Sequence, residues 1–114
     1  MTISGINASQ AGLSAFSKTL SNTAGNIANV NTNGYKATVA TINDDSAGLP
    51  QVSLRTSDAP GALLQEGGVM TETSNVDLSQ EIPQMMVSQA GYEANIKALE
   101  AQNNILQSTI NMVI

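Results

Sequence analysis

Residues 78–114 read LSQEIPQMMVSQAGYEANIKALEAQNNILQSTINMVI, and this stretch decides the fold. Apolar residues recur in it every seven positions, at Leu78, Met85, Tyr92, Leu99, Leu106 and Val113. A sustained seven-residue apolar spacing keeps one narrow stripe of a helix facing a partner helix, as in a left-handed coiled coil. We therefore predict a long C-terminal helix that packs against another helix.

The first turn of this helix has two possible starting points. Asp77 followed three residues later by Gln80 resembles a capping box, which favours a start at Leu78. Pro83 lacks the N–H that a helix interior uses, which favours either a later start near Gln80 or a kink.

A second row of the same helix alternates apolar and polar residues, at Ile82, Gln89, Ile96, Asn103 and Ile110. Buried amides in a helix–helix seam lower stability but fix register and partner choice. Gln89 and Asn103 therefore either set the register of the seam or lie at the edge of a narrower stripe.

The seven-residue spacing returns near the N-terminus, at Ile6, Leu13, Leu20 and Ile27. Phe16 and Val30 extend this stripe with helical periodicity, so we predict a helix from residue 3 to about residue 30. Gly12 and Gly25 each cost up to about 1 kcal/mol relative to Ala, so packing must stabilise this helix. Its many small residues either allow close helix–helix approach or form a solvated face.

Residues 37–75 have a different pattern. Residues 38–42, 52–55 and 69–71 have strand-like composition, and residues 43–48 and 58–61 are typical of loops. Too few apolar residues are present for an independent β domain, so a small hairpin or a short irregular β segment is expected.

The predicted fold class is therefore mainly α, with two long terminal helices pairing as an antiparallel coiled coil and a short β-containing insert. Residues 1–36 and 76–114 form a discontinuous helical assembly domain, and residues 37–75 form the insert. The predicted assembly interface comprises Ile6, Leu13, Phe16, Leu20, Ile27, Leu78, Met85, Tyr92, Ile96, Leu99, Leu106, Ile110 and Val113.

Composition narrows the classes of function. The 114 residues carry a net charge of −5 and contain neither Cys nor His, and 3% of them are aromatic. Four scattered cations are too few for nucleic acid or an anionic membrane surface, and no apolar run is long enough for membrane insertion. A chain with so thin an apolar core usually needs oligomerisation.

The same composition argues against catalysis. Without Cys and His the usual bases, thiol nucleophiles and metal ligands are missing. The adjacent Asp44 and Asp45 are too few for a calcium cage, and Glu93 and Glu100 lie two helical turns apart. We expect no enzyme activity, no catalytic residue, no cofactor, no metal and no small-molecule substrate.

Residues 25–36, GNIANVNTNGYK, follow the first helix with Asn and Gly residues that stop a helix and form a turn. This stretch resembles the N-terminal signature of the bacterial flagellar rod, hook and hook-associated proteins. The matching residues are Asn26, Ile27, Ala28, Asn29, Thr32, Gly34, Tyr35 and Lys36. Residues 74–78 and 89–95 resemble the C-terminal signature of the same family. The chain departs from the family pattern at Gly25, at Ala90-Gly91 and at Pro83.

The resemblance implies a structural subunit of the flagellar basal-body rod that polymerises through its terminal helices and transmits torque. The short insert is similar to that of a proximal rod protein. The implied partners are other rod subunits, further copies of the chain and the flagellar export apparatus. The implied location is the periplasm-spanning rod, reached by type III export without a cleaved signal peptide.

The resemblance also assigns roles within the signature turn, which comprises Asn26, Asn29, Thr32, Gly34, Tyr35 and Lys36. The amide and hydroxyl side chains would end the helix, and Gly34 would supply an unusual backbone angle. Tyr35 and Lys36 would contact neighbours or the C-terminal helix, although Tyr35 is alternatively an ordinary half-buried aromatic residue. Two rival functions remain: a stand-alone coiled-coil adaptor, and a type III-exported cap or junction protein.

Overall fold

The computed structural model describes the backbone of residues 2–114 and the side chains from Ser4 onward. Its elements in chain order are α1 (Thr2–Ala28), β1 (Thr38–Asp44), β2 (Pro50–Thr56), β3 (Leu63–Glu66), β4 (Val69–Glu72) and α2 (Leu78–Val113). The molecule is elongated, with extents of 78 × 25 × 15 Å. Two long helices joined by a short β-containing insert are confirmed, and the insert contains more strand than the sequence predicted.

The first helix ends at Ala28, slightly before the predicted end. The N–H of Asn29 donates to the carbonyls of Gly25 (3.2 Å) and Asn26 (3.1 Å), and the N–H of Val30 donates to the carbonyl of Ile27 (3.3 Å). The Asn29 side chain donates a further bond to the Gly25 carbonyl at 2.8 Å. These bonds satisfy carbonyls that the end of a helix otherwise leaves without partners.

The second helix begins at Leu78, and the helix is continuous through Pro83. Asp77 is its N-cap: one carboxylate oxygen accepts the Ser79 N–H at 2.9 Å and the Ser79 hydroxyl at 2.6 Å. Glu81 in the first turn is placed favourably for the helix dipole. Across the described residues, neither helix has the combination of length and hydropathy needed to cross a membrane.

Both sheets in the insert are two-stranded antiparallel hairpins. In the first, β1 pairs with β2 in a register that includes Val39 opposite Arg55. In the second, β3 and β4 are joined by Gly67 and Gly68, whose φ angles are 58° and 84°. Two consecutive residues with positive φ are typical of a type I′ hairpin turn, and glycine adopts this conformation without steric cost.

The two hairpins are placed differently. The first lies along α1, where Lys18, Ser21 and Asn22 line a groove together with Val52 and Leu54. The second comes close to no helix or strand other than its own two strands, within residues 2–114. One hairpin is therefore part of the helical body, and the other stands apart from it.

Apolar side chains contribute little to the interior. Ala15 and Ala37 are the buried hydrophobic residues among the described side chains, whereas the buried polar ones are Ser9, Thr19, Thr23, Asn26 and Ser88. Burial of apolar area is the main stabilising term in ordinary domains, and this chain has little of it. The fold therefore relies strongly on hydrogen bonds and leaves much of its apolar surface exposed.

Candidate functional site: the helix pair and its junction

The two helices lie side by side, and their contacts run in opposite directions along the chain. Near one end, the Asn26 amide donates to Glu81 Oε1 at 3.0 Å. Near the other end, the Gln102 amide donates to Ser9 Oγ at 3.4 Å. As residue numbers rise in α1, the contacted residue numbers fall in α2.

The line of closest contact consists of small and polar residues at seven-residue spacing. We call it the inner seam: Gly5, Gly12, Thr19 and Asn26 of α1, facing Gln102, Asn95, Ser88 and Glu81 of α2. A Cβ atom on Gly12 would lie 2.5 Å from Asn95 Oδ1, so an added side chain would force the Asn95 amide to move. The glycines of α1 therefore make room for side chains of α2.

Hydroxyl and amide groups in the seam bond mostly within their own helix. The Thr19 hydroxyl donates to the Ala15 carbonyl at 3.0 Å, and the Ser88 hydroxyl donates to the Gln84 carbonyl at 2.9 Å. The Asn95 amide likewise donates to the Gly91 carbonyl at 2.9 Å. These three side chains are thus satisfied, but they supply little attraction between the helices. Gln102 Oε1, also in the seam, is buried without a hydrogen-bond partner.

The apolar residues predicted as the assembly interface flank this seam. On α1, Ile6, Leu13, Leu20 and Ile27 each follow a seam residue directly and are half-buried. On α2, Met85, Leu99 and Leu106 are half-buried, while Leu78, Tyr92, Ile96, Ile110 and Val113 are exposed. Sequence periodicity placed these residues on common faces, but none of them is at the centre of the pairing within one chain.

Three members of this apolar set show how the flank is arranged. Ile6 and Leu99 line an open groove of about 340 Å³ together with Glu100 and Asn103. The Phe16 ring packs over Gly91, where an added Cβ would lie 2.5 Å from ring carbons. Gly91 belongs to one of the departures from the family pattern, and its missing side chain makes room for Phe16.

Further exposed apolar side chains on α2 were not selected from the sequence. Met86, Val87, Ile105 and Met112 are all exposed. They fall outside the seven-residue spacing, which is why the periodicity did not single them out. Together with the flanking residues they give α2 apolar surface well beyond a single stripe.

The signature turn is organised around Asn26, which is buried at the end of α1. Its amide donates to the Thr38 carbonyl at 2.8 Å as well as to Glu81. Its oxygen accepts the Thr38 N–H at 3.0 Å and the Tyr35 hydroxyl at 3.2 Å. One side chain therefore joins α1, the start of β1 and the first turn of α2.

The remaining turn residues hold the backbone between α1 and β1. The Thr32 hydroxyl donates to Asn29 Oδ1 at 3.1 Å. Gly34 has a φ of 73°, and its N–H donates to the Glu72 carbonyl at 2.9 Å. Tyr35 is half-buried, and the hydrogen bond of its hydroxyl is to Asn26 rather than to α2.

Lys36 ties the turn to the second half of the chain. Its ammonium pairs with Glu72 and also donates to the Ala59 carbonyl at 3.0 Å. Glu72 accepts the Gly61 N–H at 2.8 Å. The hydrogen bond from Lys36, followed by that from Gly61, lowers the pKa of the Glu72 carboxyl.

Asn75, which lies in the C-terminal signature, also bonds to segments near the turn. Its oxygen accepts the Ala37 N–H at 2.6 Å, and its amide donates to the Ala59 carbonyl at 2.8 Å. We call the network of Asn26, Tyr35, Lys36, Glu72 and Asn75 the signature junction. Glu72 and Asn75 were not predicted as site residues; Asn75 stood in a quoted signature, whereas Glu72 had no local sequence signal.

The molecule is an elongated pair of helices with a polar seam and open apolar flanks, and a polar junction fixes its insert. These features define a class of α-helical protein with paired terminal helices. Comparison with known proteins is more specific. Residues 68–112 match the family described as "Flagellar basal body rod FlgEFG protein C-terminal". This part of the chain is therefore similar to the flagellar basal-body rod and hook family.

Curated proteins show the same similarity. The chain is 42% identical over 41 residues to the flagellar hook protein FlgE of Escherichia coli, covering 36% of this chain and 10% of that protein. It has the same identity and coverage with FlgE of Salmonella typhimurium. It is 31% identical over 67 residues to the flagellar basal-body rod protein FlgG of Bacillus subtilis, covering 59% of this chain and 25% of that protein. The chain thus spans a tenth to a quarter of the length of these relatives.

Proposed function

We propose that this chain is a structural subunit of the bacterial flagellar rod that polymerises through its terminal helices. The observation that carries the proposal is the contrast between the polar inner seam and the apolar residues that flank it without being buried. Exposed apolar area of this extent marks an interaction surface. In a rod, the flanks of one subunit would be covered by helices of its neighbours.

The proposal includes a supercoiled helix pair. Seam and flanking residues both repeat every seven positions, and a seven-residue repeat imposes a left-handed supercoil on straight helices. Residues 1–36 and 76–114 would form the assembly unit, with residues 37–75 inserted between its halves. The packed helices of successive subunits would then transmit torque along the rod.

A position in the proximal rod is supported by the size of the insert. The matched segments make up 10% of the hook relative and 25% of the rod relative, whereas only residues 37–75 separate the two signatures here. We place the protein in the periplasm-spanning basal body, exported by the flagellar type III apparatus without a cleaved signal peptide. Its partners would be other rod subunits and further copies of itself, and it would have no catalytic role.

The decisive experiment is mass spectrometry of purified hook–basal bodies from the native host with the gene present, deleted and restored. We expect the chain in particles from the first and third strains, and particles truncated at the proximal rod in the second. Intact particles after deletion would refute the rod assignment. A discrete, well-folded dimer in solution would then favour the coiled-coil adaptor.

A further inference from the structure

The β3–β4 hairpin carries apolar side chains that nothing in the chain covers. Leu63, Leu64, Val69 and Met70 are 53–65% exposed, and the hairpin contacts no other described helix or strand. A lone two-stranded hairpin is marginally stable in water. This one therefore needs an external surface to pack against.

The register shows which face of the hairpin is available. Side chains alternate between faces, so Glu72 lies on the face opposite to Glu66 and Val69. Glu72 points into the signature junction, where it meets Lys36 and Gly61. The opposite face, which we call the distal face, presents Leu64, Glu66, Val69 and Thr71 away from the junction.

The first hairpin offers a matching surface. Its inner face lies on α1, and its other face borders an open groove of about 500 Å³. We call this the outer groove; its lining residues are Val39, Thr41, Arg55, Thr56, Ser57, Asp58 and Ala59. Arg55 is exposed and has no ion-pair partner in the part of the chain that the structure describes.

The two surfaces carry opposite charges beside aliphatic residues. In the outer groove, Val39 stands opposite Arg55 across the strands, an aliphatic residue beside a cation. On the distal face, Val69 stands opposite Glu66, an aliphatic residue beside an anion. Asp58 also lines the groove beyond the end of β2, so a docked hairpin must direct Glu66 toward Arg55 and away from Asp58.

We propose that the distal face of the β3–β4 hairpin in one copy docks into the outer groove of a second copy. This inference rests on the proposed function, because a polymer supplies a second copy at high local concentration. The two surfaces belong to hairpins that do not touch within one chain. Contacts between different surfaces of identical subunits propagate into a ring or an open helical polymer.

Charge reversal in the full-length chain tests the contact. Sedimentation velocity would measure self-association up to about 1 mM, where even a weak contact is half populated. Glu66→Arg and Arg55→Glu each place like charges together and should weaken association about tenfold. The double variant restores opposite charges and should recover most of the affinity. Asp44→Arg, the same change at the far end of β1, is the control and should have little effect.

Cross-linking gives a second, independent readout. The sequence contains no cysteine, so every disulfide in a chain with Arg55→Cys and Glu66→Cys involves these two positions. Peptide mapping by mass spectrometry separates 55–66 disulfides from 55–55 and 66–66 disulfides. We expect 55–66 disulfides between chains to predominate, and no 44–66 disulfides from the control pair Asp44→Cys with Glu66→Cys. A wild-type chain that stays monomeric to about 1 mM, or a double charge variant as weak as the single ones, would overturn the docking.

The test of the hairpin contact can fail without the rod assignment failing, and the reverse is also true. Charge reversal without effect, in a chain that still enters hook–basal bodies, refutes the hairpin contact and leaves the rod assignment intact. Absence of the wild-type chain from hook–basal bodies refutes the rod assignment, whatever the hairpin does in solution.

Discussion

The signature junction and the inner seam are both polar, but their hydrogen bonds connect different parts of the chain. In the junction, side chains of Asn26, Lys36 and Asn75 bond to segments far away in sequence. In the seam, Thr19 and Ser88 bond back to their own helices. The junction is therefore complete within one chain, whereas the helix pair leaves apolar flanks open, which we propose neighbouring subunits cover.

The largest effect should come from removing the apolar flank of α2. Leu99→Ala combined with Leu106→Ala should abolish incorporation into hook–basal bodies, since each leucine contributes about 2–5 kcal/mol when buried. Quantitative mass spectrometry of purified particles measures this directly. Gln107→Ala, at an exposed polar position beside Leu106, is the matched control. Normal incorporation of the double variant would show that this flank is not an interface.

The next largest effect should come from the junction itself. Asn26→Ala leaves the Thr38 N–H and the Tyr35 hydroxyl without their partner, and each such loss costs about 1–3 kcal/mol. The Thr38 carbonyl keeps its bond from the Asn22 amide. Amide exchange at residues 35–38 should accelerate about a hundredfold, as hydrogen-exchange NMR of the free chain would show. Asn31→Ala, at an exposed position in the same turn, should leave these amides unchanged. Equal protection in both variants would mean that Asn26 does not hold the junction.

A smaller effect is expected at Gly34. Its φ of 73° is unfavourable for a β-branched residue, so Gly34→Val should destabilise the turn by about 1–2 kcal/mol. Gly25→Ala is the contrasting change, because Gly25 is helical with no atom within 4 Å of an added Cβ. Denaturant titration should show a loss of stability for the first variant and none for the second. Equal stability of both variants would contradict a left-handed conformation at position 34.

The smallest effect is electrostatic. Lys36 and the Gly61 N–H lower the pKa of Glu72, so the folded chain binds this proton less readily than the unfolded chain. The stabilisation is present above the usual carboxyl pKa of 4.5 and is lost as pH falls through the lowered value. Protection of the Gly61 and Gly34 amides should therefore decrease on acidification in the wild type and much less in Glu72→Gln. Glu93→Gln, at an exposed position on α2, should retain the wild-type pH dependence.

Hydrophobic periodicity predicted both helices because it reports apolar residues that share a helix face. It could not locate the inner seam, since Gly12, Thr19 and Ser88 carry no apolar signal. Their seven-residue spacing was nevertheless present in the sequence as a row of small residues. The periodicity therefore indicated that the helices pair, but displaced the line of contact to the neighbouring residues.

The insert was predicted less completely, for a different reason. A strand as short as β3 has no measurable periodicity of its own; the usable signal was Gly67-Gly68 between two apolar pairs. The ion pair of Lys36 with Glu72 joins residues far apart in sequence, and no local pattern predicts such a contact. The start of α2 at Leu78 was one of the two alternatives, and Asp77 selects it by bonding to Ser79.

The repeating seam has a consequence for helix length. Its residues recur every seven positions, and Thr19, Ser88 and Asn95 in its middle bond within their own helix, so the middle repeats do little to fix the alignment of the two helices. Alignment of α1 with α2 is set mainly at one end, by the bond from Asn26 to Glu81. Deleting seven residues from each helix beyond that end would shorten the pair by about 10 Å and leave the remaining contacts in phase. Helix length can thus change in steps of one repeat while the junction, and everything attached to it, keeps its geometry.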